Sequence, residues 1–207
     1  MIGSFLAPNQ IKSMLRLGIL ASHQGTNFQS VADACRFGEL NAYLAILISN
    51  NSKAPVMKRA AELSVPAHHV STATHKNAED IDKAINTKLT EAKVGLVVLA
   101  GYMKKIGPLV LEEFKGRIIN VHPSLLPRHG GQGFYGQRVH ESVIAAGDAE
   151  TGATVHHVTV NYDEGAVIRQ KSIRVAENET AATLAKKVHA IEHQLLLSTI
   201  KEFAEKL

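Results

Sequence analysis

The sequence predicts an α/β fold: one open, mostly parallel sheet flanked by helices, closed by a β-hairpin and a long C-terminal helix. Three observations predict it. Short apolar runs alternate with longer stretches of helical period, the pattern of βα units around a parallel sheet. The runs lack polar alternation, as strands buried on both faces do. Beyond Val121 the texture changes to a Pro/Gly-rich loop, two strand-like runs and a closing amphipathic stretch.

The predicted parallel strands are residues 15–21, 43–49, a shorter 67–70, 96–100 and 117–121. Helices follow at about 27–37, 54–63, 78–92 and, briefly, 108–114. Residues 123–137 hold two prolines and four glycines and read as a long ordered loop, a feature that is usually functional in a compact domain. A short helix is expected at 139–146. Residues 154–160 and 167–175 then read as two strands joined by the acidic turn 161–165, a hairpin and not a crossover. Residues 180–207 complete the chain as an amphipathic helix. No repeat or linker interrupts 14–207, which reads as one domain of sufficient size for a buried core. Residues 1–13 read as a disordered N-terminal extension or a start assigned too early, since Met14 stands just before the first strand.

Composition narrows the function. The single cysteine, Cys35, leaves no disulfide framework and fits a reducing, cytoplasmic compartment. No apolar stretch has the length of a membrane span, and the first residues lack the pattern of a signal peptide. The net charge of +4 is spread along the chain, and Lys104-Lys105 is only a doublet without interleaved aromatics. Small anionic substrates suit this balance; a nucleic acid partner is not expected.

Two segments carry candidate chemistry. Ser22-His23-Gln24-Gly25-Thr26-Asn27 follows the first strand and matches neither GxxxxGK[ST] nor GxGxxG. Gly25-Thr26-Asn27 would offer backbone N–H groups and a helix dipole to an anion; it equally fits an ordinary turn with Thr26 as N-cap. In Ile118-Ile119-Asn120-Val121-His122-Pro123, Asn120 and His122 share one face of a strand that Pro123 must end. That places an amide and an imidazole at the carboxyl edge of a parallel sheet, where such folds bind ligands. A lone strand-end histidine is commonly structural, but Asn-x-His-Pro at the mouth of a Pro/Gly loop points to function. Asp163, in Tyr162-Asp163-Glu164-Gly165, is explained by turn chemistry alone. Folded over the same edge, it could orient or charge His122.

Gly25-Thr26-Asn27, Val97-Val98-Leu99-Ala100-Gly101-Tyr102-Met103 and Asn120-Val121-His122-Pro123-Ser124-Leu125-Leu126-Pro127 resemble, in order and spacing, the folate-dependent formyltransferases. So do Gly152-Ala153-Thr154-Val155-His156-His157-Val158 and Asp163-Glu164-Gly165. The likeness runs from about Leu15 to the C-terminus, and the compact length with the Gly-Thr-Asn loop points to those acting on glycinamide ribonucleotide. The resemblance implies a Rossmann-like formyltransferase fold. It also implies transfer of a formyl group from 10-formyltetrahydrofolate to the amine of that ribonucleotide, in purine biosynthesis. No metal is implied, and the chain would act as a monomer or homodimer.

By the same resemblance, Asn120, His122 and Asp163 are catalytic, acting on a direct attack without a covalent enzyme intermediate. Gly25, Thr26 and Asn27 match the substrate phosphate loop, and Glu192 the contact to the ribose side. Met103, Lys104, Lys105 and Ile106 match one wall of the folate pocket. Thr159, Val160, Asn161, Tyr162 and Asp163 match the other, with Asn120 between them and Lys76 near the folate glutamate tail. The chain departs from the family pattern at His23 and Gln24, at Thr159-Val160 where an acidic pair is typical, and at Ala166 where proline is. The loop 128–137 is the longer, glycine-rich variant.

Other readings fare less well. His189-Ala190-Ile191-Glu192-His193 matches H-x-x-E-H, but only Glu202 and Glu205 follow as further ligands. Neighbours in the pairs His68-His69 and His156-His157 would face opposite sides of strands, so neither pair binds one metal, and most histidines read as surface or packing residues. Cys35 has no base beside it in sequence. A formyltransferase acting on methionyl-tRNA would need a second domain, and a formyltetrahydrofolate hydrolase an N-terminal regulatory one. A non-enzymatic nucleotide-binding module is the contrasting class.

Overall fold

The computed structural model describes residues 14–206. The expected N-terminal extension and Leu207 lie outside the described residues. Along the chain run β1 (Leu15–Leu20), α1 (Thr26–Arg36), β2 (Ala42–Ser49), α2 (Pro55–Glu62), β3 (Ala67–His69), α3 (Ala78–Glu91) and β4 (Leu96–Leu99). They are followed by α4 (Pro108–Glu113), β5 (Ile118–His122), α5 (Gln137–Ala146), β6 (Glu150–His157), β7 (Val167–Arg174) and α6 (Ala181–Ala204). The strands form one sheet in the order β3-β2-β1-β4-β5-β6-β7. The first five are parallel, while β6 is antiparallel to β5 and β7 to β6. This is the mostly parallel sheet with a terminal hairpin that the apolar runs predict.

Both sheet faces are covered, which is why the central strands carry no polar alternation. Leu17, Ile19, Leu96 and Val98 face one core with Phe28, Val31, Leu184 and Val188 of α1 and α6. Leu20, Val97 and Leu99 face the other, with Ile85 and Leu89 of α3 and Val110 of α4. Each fully buried side chain of this size contributes about 1.5–3 kcal/mol relative to exposure. The helix starts have varied causes. Asn77 caps α3 by accepting from the Asp80 N–H at 2.8 Å, and Thr180 and Thr183 cap α6 reciprocally. The short α4 begins at Pro108 without a cap of its own. Buried Asp82 of α3 serves instead, accepting from the N–H of Leu109 at 2.8 Å and of Val110 at 3.3 Å.

The hairpin departs from expectation. β6 runs Glu150–His157, where 154–160 was predicted. The added residues include Gly152, which pairs with Ser172 in the ladder, and a Cβ there would stand 2.0 Å from the Lys171 carbonyl oxygen. Only glycine lets β7 pass so close. At the other end the Val158 N–H still bonds the Ile118 carbonyl, but Val160 is 63% exposed and outside the ladder. β5 also extends to His122, one residue past the predicted end. Among the described residues no helix is long and apolar enough to cross a membrane.

Gly152→Ala should therefore destabilise the protein by about 1–3 kcal/mol, the range for overpacking. Urea unfolding followed by circular dichroism measures this; an unchanged midpoint would show that β6 and β7 separate there without penalty.

Candidate active site

Strand order reverses between β1 and β4, so the chains leaving their carboxyl ends diverge and open a crevice. The cleft there has a volume of about 660 Å³, within the roughly 300–1,000 Å³ of small-molecule sites. Ser22, which the sequence reading did not single out, ties its two banks. Its hydroxyl accepts from the Met103 N–H at 2.8 Å and donates to Asn50, and its own N–H bonds the Gly101 carbonyl.

At one end the chain turns at Gly25, whose φ is 71° and whose Cβ would lie 2.4 Å from Val56 Cγ2. Gly25 is thus the N-cap and Thr26 the first helical residue, so Thr26 does not cap α1. No side chain caps this helix start, which leaves its N–H groups facing the cleft beside His23 and Gln24. The Arg59 guanidinium holds the loop from behind through the Gln24 carbonyl at 2.8 Å. Asn27 is buried, with Oδ1 unpartnered and its amide bonded to Glu192. Burial pushes the Glu192 carboxyl up to about 8, against the pull of Asn27. Both residues line the cleft.

Midway, β5 delivers Asn120 and His122, and the β6–β7 connection folds Asp163 over them with φ 57°. The His122 Nε2–H donates to the His129 carbonyl at 2.8 Å, so the ring's Nδ1 is the nitrogen turned to Asp163, 3.5 Å from Oδ2. Burial lowers the His122 pKa; the Asp163 charge and the His129 carbonyl oppose it, while His156 and His129 lower it further. Burial pushes Asp163 up, but the His156 and His122 rings and the Gly131 N–H at 2.9 Å outweigh it and hold the carboxyl below its ordinary value. Asn120 Nδ2 lies 3.0 Å from His156 Nε2 and 3.4 Å from Asp163 Oδ1. Both amide hydrogens thus have protein acceptors when His156 is neutral, and a ligand oxygen must exchange with one of them.

At the far end Met103, Lys104, Lys105 and Ile106 form one wall, and Thr159, Asn161, Tyr162 and Asp163 the other. Lys105 Nζ stands 5.8 Å from the centre of the Tyr162 ring. Lys76 and Val160 are exposed and lie outside the lining.

Two histidines lack the surface or packing role expected for most of them. His156 is 2% exposed and sits opposite Asn120 in the β5–β6 ladder; its Nδ1–H goes to the His157 carbonyl, which leaves Nε2 for Asn120. His140 is buried beside the His189 ring with Nδ1 unpartnered, and burial, His189 and His122 bring its pKa to about 4. His189 turns into the cleft, 3.7 Å from Glu192. Among the described residues no three metal-ligating side chains gather at one point. The Cys35 thiol is pushed up to about 12 by burial and lies outside the cleft, so it supplies no thiolate.

Residues 15–200 match the family described as Formyl transferase. The chain belongs to the formyl transferase family. Formyl transferases similar to it include the phosphoribosylglycinamide formyltransferase of Haemophilus influenzae, 35% identical over 93% of this chain and 88% of that one. The Bacillus subtilis protein of the same name is 33% identical over 91% and 94%. The crystal structure of glycinamide ribonucleotide transformylase 1 from Symbiobacterium toebii superposes with a TM-score of 0.88 at 36% identity, covering 94% and 89%.

The Glu192 carboxyl gives a pH-dependent prediction. The folded formyl transferase retains a proton that the unfolded chain releases between the ordinary 4.5 and about 8, so stability falls as pH rises through that window. Glu192→Gln removes this titration. Its thermal midpoint should fall less than the wild type's between about pH 5 and 8; parallel curves would refute the assignment.

Proposed function

We propose that this formyl transferase moves the formyl group of 10-formyltetrahydrofolate onto the amine of glycinamide ribonucleotide. The products are formylglycinamide ribonucleotide and tetrahydrofolate, a step of purine biosynthesis. One observation carries the reading: Asn120, His122 and Asp163 converge midway along a cleft with an uncapped helix start at one end and a lysine- and tyrosine-bearing wall at the other.

Each end has a matching ligand part. The free N–H groups of α1 suit a phosphate dianion, and buried Asn27 and Glu192 suit the ribose hydroxyls beyond it. The wall from Met103 to Ile106, opposite Tyr162, suits a flat pterin ring, and Lys104 and Lys105 suit the carboxylates of the folate tail. The two substrates then meet at Asn120 and His122. The amine attacks the formyl carbon, and the C–O π electrons move to oxygen. A proton on Nδ1 of His122, the nitrogen turned to Asp163, makes the ring a cation beside that oxygen, and the Asp163 charge stabilises it. The Asn120 amide, exchanging one of its internal acceptors, donates a hydrogen bond to the same oxygen. Collapse breaks the bond to N10 of the folate. The proton lost by the amine passes to N10, with His122 and Asp163 within reach of the path. The same proposal takes 14–207 as one catalytic domain, working in the cytoplasm as a monomer or homodimer.

An absorbance assay of formyl-folate consumption, with and without glycinamide ribonucleotide, tests the reaction. Turnover is expected only with the acceptor; consumption without it would indicate a hydrolase, and none in either case would remove the substrate assignment. His122→Ala and Asp163→Asn should each lower kcat by roughly 10²–10⁴-fold in folded protein. A variant with near-normal kcat removes that residue from the mechanism. Thr26→Ala and Asn27→Ala should chiefly raise KM for the ribonucleotide, since its phosphate and ribose are held equally in ground and transition states.

A further inference from the structure

The loop 128–136 touches both His122 and Asp163 through its backbone: the His129 carbonyl takes the His122 Nε2–H, and the Gly131 N–H reaches Asp163 Oδ2. The loop therefore has to be held in place, and its main anchor is the side chain of His129. Its Nε2 lies 2.7 Å from Asp148 Oδ2, beyond the end of α5, and its Nδ1 lies 2.6 Å from the Ser142 hydroxyl on α5. The guanidinium of Arg128 pairs with the other oxygen of Asp148. The His129 ring is 12% exposed, and Phe134 packs edge-on to it at 6.3 Å.

The backbone at His129 adds a second, independent observation. Its φ is 54°, in the left-handed region that side chains other than glycine seldom occupy. Such a conformation persists only where the surroundings over-determine it. Here they do. The ring is fixed at two atoms, the next residue, Gly130, is packed against Leu126, whose Cδ2 would have to move from 2.3 Å of any added Cβ, and the Arg128 carbonyl is taken by Ser124 at 2.6 Å. With the ring anchored and the peptide turned this way, the carbonyl of His129 points at His122.

We infer that His129, anchored by Asp148 and Ser142, is a positioning residue that fixes the ring of His122 with Nδ1 towards Asp163. The carbonyl selects the tautomer: a hydrogen on Nε2 has a close acceptor there at 2.8 Å, whereas a hydrogen on Nδ1, 3.5 Å from Asp163, would leave the bare Nε2 lone pair pressed against the carbonyl oxygen. The Ser–His–Asp order at this cluster invites a nucleophilic reading, but Ser142 and Asp148 are not part of the cleft lining, so the cluster acts on geometry and not on substrate. The catalytic meaning of the inference rests on the proposed formyl transfer; the control of the His122 tautomer does not.

The test therefore joins two measurements. Imidazole ¹⁵N spectra of the full-length protein report the His122 tautomer without turnover, and steady-state kinetics report kcat and KM. His129→Phe keeps an aromatic ring but loses both anchoring bonds, Asp148→Ala removes one, and Ser142→Ala, the mildest, removes the other. In His129→Phe and Asp148→Ala the single Nε2–H form should give way to a mixture. kcat should fall by roughly ten- to a hundredfold, as for other misplaced catalytic groups, with KM for both substrates within about threefold. Asp148→Asn, still an acceptor for Nε2–H, should restore most of kcat, and His129→Phe with Asp148→Ala should be no slower than the slower single variant. An unmixed tautomer in both variants overturns the inference. So does a double variant whose losses multiply. A mixed tautomer with no formyl transfer even in the wild type would keep the positioning role and fail the proposed function instead.

Discussion

A carboxylate taken out of water needs polar partners, and three separate parts of the chain gather around Asp163. β5 brings Asn120 and His122, β6 brings His156, and the loop after β5 brings the Gly131 N–H. β5 with its loop and β6 with its connection come from separate stretches of the chain, so the contact exists only when the sheet edge, the β6–β7 connection and the loop are all assembled. The left-handed φ of Asp163 itself belongs to the same arrangement, since it turns the carboxyl back over the edge. Removing the charge would weaken both donors at once, the Asn120 amide on β5 and the Gly131 N–H on the loop.

The sheet makes this assembly possible because its strand order reverses between the parallel strands β1 and β4. Cores on both faces fix the strands, and the polar groups are left to the edge where the strands end. The anion-ready helix start, the central pair and the paired walls all lie along that edge, which is why one cleft can take two substrates end to end. Its ends differ in physics: backbone N–H groups and buried polar side chains at one, exposed lysines and an aromatic ring at the other.

Much of this is legible in the sequence because it is local. Unbroken apolar runs mark doubly covered strands, and Asn120, His122 and Pro123 stand within four residues whose spacing alone puts two functional groups at a strand end. What is not legible depends on pairing across distance. The need for glycine at position 152 shows only when Lys171 is seen pressed against it. His156 looks like half of an ordinary His-His pair until the register sets it opposite Asn120. His129 draws no attention in a glycine-rich loop, because Ser142 and Asp148 give no sign in sequence that they meet it. Lys76, placed by likeness alone, stands exposed and outside the lining, where alignment had no strong motif to fix it.

The segment between β4 and α4 is fastened at both ends by residues outside it. Ser22 holds its start through the Met103 N–H, and Asp82 holds its finish through the first N–H groups of α4. A helix as short as α4 could not hold that end alone. The segment is therefore a span between two piers, and its backbone keeps its course whatever side chains it carries. Substitutions at Met103, Lys104 or Lys105 would change the wall's chemistry but leave its main chain in place, whereas a change at Ser22 or Asp82, neither of which forms that wall, would move all of it.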